Sequence, residues 1–130
     1  MIFLDTSAIY ALADRADPNH SRAKRLFSKA LREGEDLFTH SYDLVEAAAL
    51  IQFRLGLEPA LRFLKESASF VVHWVTPTDH REGVKLLEKR GRRGLSLVDC
   101  VSFAVMRRYG VKLYLAFDED FEREGFEPFG

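Results

Sequence analysis

The stretch MIFLDTSAIYALAD, residues 1–14, runs four apolar residues into an acid, Asp5, with two hydroxyls, Thr6 and Ser7, behind it. An N-terminus is cheap to leave polar and frayed, so an apolar one reads as buried, with Ile2 to Leu4 as a short strand. A carboxylate at the end of a buried strand is costly unless it is capped, paired or bound to a cation. From Thr6 to about Asp14 the apolar spacing predicts a helix, whose first turn Asp5 is placed to cap.

The same alternation continues along the chain. Asp17 and Pro18 suit the N-cap and first position of a second helix, with Ala23, Leu26, Phe27, Ala30 and Leu31 on its inner face and Gly34 ending it. DLFTH (36–40) is a strand candidate. Ser41 then caps a long helix, SYDLVEAAALIQFRLG, with Leu44, Val45, Ala48, Ile51 and Leu55 facing inward, and Pro59 starts a fourth.

FVVHWV (70–75), β-branched and aromatic, reads as a central strand. A helix from about Thr78 to Arg90, the basic loop KRGRRG, and a helix capped by Ser96 and stopped by Gly110 follow. Lys112 to Ala116 is a further strand, FDED a turn, and FEPFG an edge strand. Strands alternating with helices imply an α/β fold with a mostly parallel sheet of four to five strands covered on both faces. In such sheets ligands sit beyond the carboxyl ends of the strands, where Asp5 and Asp118 lie.

At 130 residues, 47% hydrophobic and 30% charged, with no repeat or linker-like tract, the chain is expected to be one globular domain over residues 1–130. Met1 leads straight into strand-like sequence without a basic leader or a bilayer-length apolar run, so neither export nor membrane insertion is expected. The single cysteine, Cys100, permits no intrachain disulfide and no Cys-rich zinc site, which favours a reducing cytoplasm. His20, His40, His73 and His80 show no i,i+4 pairing, which argues against a zinc centre.

Four acids interrupt an apolar pattern or end a strand: Asp5, Glu46, Asp99 and Asp118. Each has an ordinary explanation, which for Glu46 is an exposed helix face. Asp5 caps a helix, Asp99 is the N3 residue of a capping box with Ser96, and Asp118 suits an Asx turn. Glu46, inside LVEAAAL, has no cap to make. If the four converge, their repulsion calls for a divalent cation, and an all-oxygen site selects Mg²⁺ or Mn²⁺ over zinc. That apparatus serves phosphoryl chemistry, and no Gly-rich phosphate loop, serine elbow or Cys/His pair supports another reaction.

With these residues in place, the whole chain resembles the PIN-domain nucleases, in particular the small stand-alone proteins that include VapC-type toxins. FLDTSAIYAL is similar to the family's opening motif, with Asp5 as a metal-site acid and Thr6 and Ser7 in support. SYDLVEAA resembles the second motif, carrying Glu46, LSLVDCVSFAVMRRYG the third, carrying Asp99, and LYLAFDEDF the fourth, carrying Asp118 with Asp120 beside it. The resemblance implies a three-layer α/β/α fold, Mg²⁺ or Mn²⁺ dependence, RNA hydrolysis and a homodimer. A toxin would also have a cognate antitoxin that inserts a segment into the acidic cleft. The sequence departs from the family at Ala116, where Thr or Ser is common two residues before the fourth acid.

The formal net charge of −1 advertises no polyanionic partner, so RNA requires a local basic patch. Lys89, Arg90, Arg92 and Arg93, just before the helix of Asp99, are the candidates. Two other readings stay open. One is a PIN-like module with weakened catalysis that binds RNA or protein, for which Ala116 speaks. The other is a receiver-type phospho-acceptor domain, which would need adjacent acids after the first strand and a lysine after the last, whereas Lys112 precedes its strand.

Overall fold

The structure, a computed structural model, describes all residues 1–130. In chain order the elements are β1 (Ile2–Leu4), α1 (Thr6–Ala13), α2 (His20–Arg32), β2 (Leu37–His40), α3 (Ser41–Leu55), α4 (Leu57–Glu66), β3 (Val71–His73), α5 (Pro77–Arg90), α6 (Leu97–Tyr109), β4 (Leu113–Leu115), α7 (Asp120–Arg123) and β5 (Glu127–Pro128). A 3-10 turn, Ser67–Ser69, joins α4 to β3.

The strands form one sheet in the order β3-β2-β1-β4-β5 with every pairing parallel. β1 is central, and its residues are buried on both faces, which is why it is apolar at successive positions instead of alternating. Ile2 and Leu4 point into one core with Ile9, Phe27, Ile51 and Phe63, from α1 to α4. Phe3 points to the other face, among Phe38, Phe103, Tyr114 and Phe121, where α5 to α7 pack. The result is a three-layer α/β/α arrangement.

From β1 the chain steps to β2 and β3 on one side, then crosses back over the sheet through α5 and α6 to enter β4 on the other side of β1. The crossovers therefore diverge between β1 and β4 and open a crevice at their carboxyl ends. Asp5 follows β1 directly and Asp118 comes three residues after β4. The Asp5 amide donates to the Leu115 carbonyl (3.1 Å), which ties these two ends together.

Several local expectations change. Asp17 and Pro18 do not start α2: the Asp17 carboxylate accepts the Asn19 amide (2.8 Å) in an Asx turn, and the helix begins at His20. Leu31 is exposed beyond the buried face of that helix. The cap of α3 is His40, whose ring accepts the Asp43 amide, so Ser41 is its first helical residue and its hydroxyl accepts the Val75 amide (2.9 Å). Ala47, not Val45, completes the inner face of α3 with Leu44 and Ile51.

FVVHWV forms an edge strand, not a central one, with Val71 and Trp74 exposed. β-Branched and aromatic residues signal a pleated surface, but strand order is set by the crossovers. The turn after Asp118 also winds into α7, which carries Phe121 into the second core.

The helix that carries Asp99 is held by a close crossing. Gly83, inside α5, lies where a Cβ would stand 2.5 Å from Val101 Cγ2 and 3.3 Å from the Val101 nitrogen. In an open helix, alanine would stabilise by about 1 kcal/mol over glycine. Here Gly83→Ala is expected to lower stability by about 1–3 kcal/mol, because Val101 is stiff and the second contact is backbone. The check is a fall in urea midpoint at constant m-value; a rise would show that α5 moves off α6 at no cost.

Candidate metal centre

Asp5, Asp99 and Asp118 meet in the crevice between β1 and β4, with one carboxylate oxygen from each within 4.8 Å of the others. Each reaches this place through the local bond that the sequence suggested for it. Asp5 Oδ2 caps α1 by accepting the Ser7 amide (3.1 Å) and the Ser7 hydroxyl (2.7 Å). Asp99 Oδ2 closes the capping box of α6, accepting the Ser96 amide (3.1 Å) and hydroxyl (2.9 Å). Asp118 Oδ1 accepts the Asp120 amide (3.0 Å). Capping and convergence are compatible, because Asp5 and Asp99 each commit only Oδ2 and keep Oδ1 out of these bonds.

Ser7 joins two of the strand ends. Its hydroxyl donates to Asp5 and accepts the Phe117 amide (3.0 Å), between Ala116 and Asp118. Although Ala116 has no hydroxyl, one from the opening motif therefore stands at this junction.

Glu46 is not brought into the set: it is exposed on α3. The acid that α3 buries is Asp43, one turn earlier and 0% exposed. Asp43 Oδ1 accepts the Thr6 hydroxyl (2.7 Å), and Oδ2 accepts the Ser102 hydroxyl (3.2 Å) and faces His40 Nε2 (3.1 Å). Thr6 follows Asp5, and Ser102 lies one turn after Asp99. One buried carboxyl thus links the elements that carry Asp5, Glu46 and Asp99. Nothing in the sequence separates Asp43 from an ordinary acid in a first helical turn.

Burial sets the electrostatics. It pushes Asp5 up to about 7, against the Ser7 bonds and with help from the nearby charges of Asp118 and Asp99. Burial also raises Asp99 and Asp118, each further raised by an acid neighbour, Asp120 and Asp99 respectively. Asp43 is held well above the usual carboxylate range by burial and by the charge of Asp5. Burial drops His40 to about 3, so its ring is neutral. Its Nδ1 lies 3.3 Å from the Asp43 amide and accepts from it, which assigns the ring proton to Nε2. Carboxylates this crowded favour a hard divalent cation, and an all-oxygen donor set of three suits one.

The supporting candidates separate. Thr6 and Ser7 are built into the site as described. Asp120 is outside the three-acid set and pairs with Arg92 (3.0 Å). Of the basic loop, Lys89 and Arg93 are exposed, whereas Arg90 makes a two-point bond to Glu124 (2.7 and 2.9 Å). Cys100 is a buried core residue. No helix is long and apolar enough to cross a membrane.

Comparison with known proteins agrees with this architecture. Residues 2–127 match the model of the PIN domain. The 23S rRNA-specific endonuclease VapC20 of Mycobacterium tuberculosis is 35% identical over 128 residues, 97% of this chain and 95% of that protein. Its crystal structure, described as a Sarcin-Ricin loop cleaving toxin, superimposes with a TM-score of 0.86 at 33% identity, covering 98% of this chain and 97% of the other. FitAcB from Neisseria gonorrhoeae shares the fold, with a TM-score of 0.66 at 15% identity over 100% of this chain and 97% of that one. The receiver-type reading has no counterpart among these relatives. With the family model spanning nearly its whole length and a relative so similar in sequence and fold, the chain belongs to the PIN-domain family.

Proposed function

We propose that residues 1–130 act as one PIN-like unit, a metal-dependent endoribonuclease and the toxin of a toxin–antitoxin pair. The observation that carries this is the convergence of Asp5, Asp99 and Asp118 at the crevice between β1 and β4. The oxygen-only donor set fits Mg²⁺ or Mn²⁺. When bound, such a cation supplies activation of water and neutralises charge on a phosphodiester.

The chain's own residues hold and orient. Asp5 and Asp99 are the direct ligands, their carboxylates fixed in rotamer by the Ser7 and Ser96 bonds. Asp118 completes the set, and Glu46, exposed on α3, would act through water or at a second position. Thr6 and Asp43 hold the floor beneath Asp5. Lys89 and Arg93, exposed before α6, meet the phosphates of arriving RNA, with Arg90 and Arg92 behind them.

Likeness to VapC20 supports ribosomal RNA as the substrate class, and a ribosomal substrate supports activity in the cytoplasm. A cognate antitoxin that covers the acidic cleft and a homodimeric state complete the reading.

The deciding experiment is cleavage of a labelled ribosomal RNA stem-loop with Mn²⁺ or Mg²⁺. EDTA is expected to abolish it, and Asp5→Asn or Asp99→Asn to slow it by about 10²-fold or more. Parent-like cleavage by Asp5→Asn at saturating Mg²⁺ would rule out the proposed site, and cleavage lost in neither control would rule out metal dependence.

A second expectation concerns pH. Because burial raises Asp5 above its unfolded value of 3.8 to about 7, its contribution to stability is full below 3.8 and is lost as pH rises through 7. A cation binds the ionised carboxylates of the folded state and reverses that loss. The rise in Tm on adding Mn²⁺ is therefore expected to be larger at about pH 8 than at about pH 5.5. An equal rise at both would show that these carboxylates do not take up the ion.

A further inference from the structure

An open basin of about 500 Å³ is lined by Arg90, Arg92, Arg107, Arg123 and Glu124, without one apolar residue. The arginines come from the end of α5, the following loop, the end of α6 and α7, so four separate segments deliver the same planar cation to one place. The basin adjoins the metal centre: Arg92 Nη2 donates to Asp120 Oδ1 (3.0 Å), and the Asp120 amide donates to Asp118 (3.0 Å).

Glu124 acts as its hub. Its side chain is 4% exposed and accepts Arg90 Nε (2.7 Å) and Nη2 (2.9 Å) as well as Arg107 Nη2 (2.9 Å). Arg90 and Arg107 hold the Glu124 carboxyl down at about 2, so it stays ionised. The Arg107 guanidinium also lies over the Phe126 ring, 5.1 Å from its centroid, and Arg123 is paired with exposed Glu119 (2.9 Å). Four guanidiniums thus meet three carboxylates, Glu124, Asp120 and Glu119, and keep net positive charge. Arg90, Arg92 and Arg107 use at most Nε and Nη2 in these bonds. Their Nη1 groups, with Nε of Arg92 and Arg107, make no hydrogen bond within the protein.

We propose that this basin holds a backbone phosphodiester of the RNA strand that is cleaved at the acidic cluster. Fixed guanidinium forks match the paired non-bridging oxygens of a phosphodiester, which lysines would meet only as point charges. Glu124 supplies the rigidity, and Arg92 links this phosphate to the metal centre through Asp120. The inference extends the ribonuclease reading to two residues, Arg107 and Arg123, outside the basic loop, and it rests on that reading for the identity of the polymer.

The test is binding of a fluorescent RNA stem-loop in EDTA, where cleavage cannot interfere, as a function of salt. For Arg107→Gln with Arg123→Gln, affinity at about 0.1 M salt is expected to fall about tenfold and the slope of log K against log[salt] to become shallower by about one. Arg123→Gln alone, which leaves the Glu124 hub intact, is expected to give part of this effect should the double variant lose its fold. The Mn²⁺-induced rise in Tm is expected to be unchanged in both, because no metal-site carboxylate is altered.

An unchanged affinity and slope in the folded variants would overturn the proposal, as would a parent that binds inorganic phosphate or a Glu-rich peptide there but no RNA. RNA binding that loses its slope as expected, in a protein that cleaves nothing, would uphold the basin and remove the nuclease reading. Cleavage by a parent whose basin variants bind RNA like itself would do the reverse.

Discussion

Asp5 sits at the end of a strand that has no contact with water on either face, beside two other acids whose charges oppose its own. Its carboxylate is held there by Ser7 through two bonds to one oxygen, and the sheet behind it leaves no room to withdraw. Much of the surrounding structure answers that constraint. The parallel pairing of β1 with β4 sets the distance to Asp118, and Gly83 lets α5 close on the helix that presents Asp99. Asp43 ties these supports together from below.

Local capping bonds and membership of the three-acid cluster fall on the same side chains here. A capping carboxylate is fixed in direction by the amide or hydroxyl it accepts, and a fixed direction is what a metal ligand needs. Asp5, Asp99 and Asp118 each take an ordinary N-terminal or turn bond, and that bond orients the group toward the crevice. A capping role in sequence is therefore no argument against a functional one.

Positive charge is organised differently. The whole chain carries a formal charge of −1, yet arginines from four segments gather next to the acids, held apart from them by Asp120 and Glu124. Opposite charges kept side by side without collapsing require fixed partners on both sides. The buried Glu124 carboxylate provides one such partner and the Asp120 carboxylate the other.

The alternation of strand and helix, the burial of IFL and the positions of Asp5, Asp99 and Asp118 were legible from the residues themselves, because periodicity and capping are local physics. What those residues could not express is which distant segments meet. Val71 to His73 has the composition of a central strand and lies at an edge, since strand order depends on crossovers. Glu46 interrupts an apolar run and faces solvent, while Asp43, which looks like a first-turn acid, is the one α3 buries. The basic loop showed two of the basin's four arginines, and Arg107 and Arg123 join them only when α6 and α7 pack together. Local sequence thus determined what each segment is and which carboxylates are held rigid. Tertiary structure alone decided which of them share a space, because burial and charge proximity arise only from contacts between segments far apart in the chain.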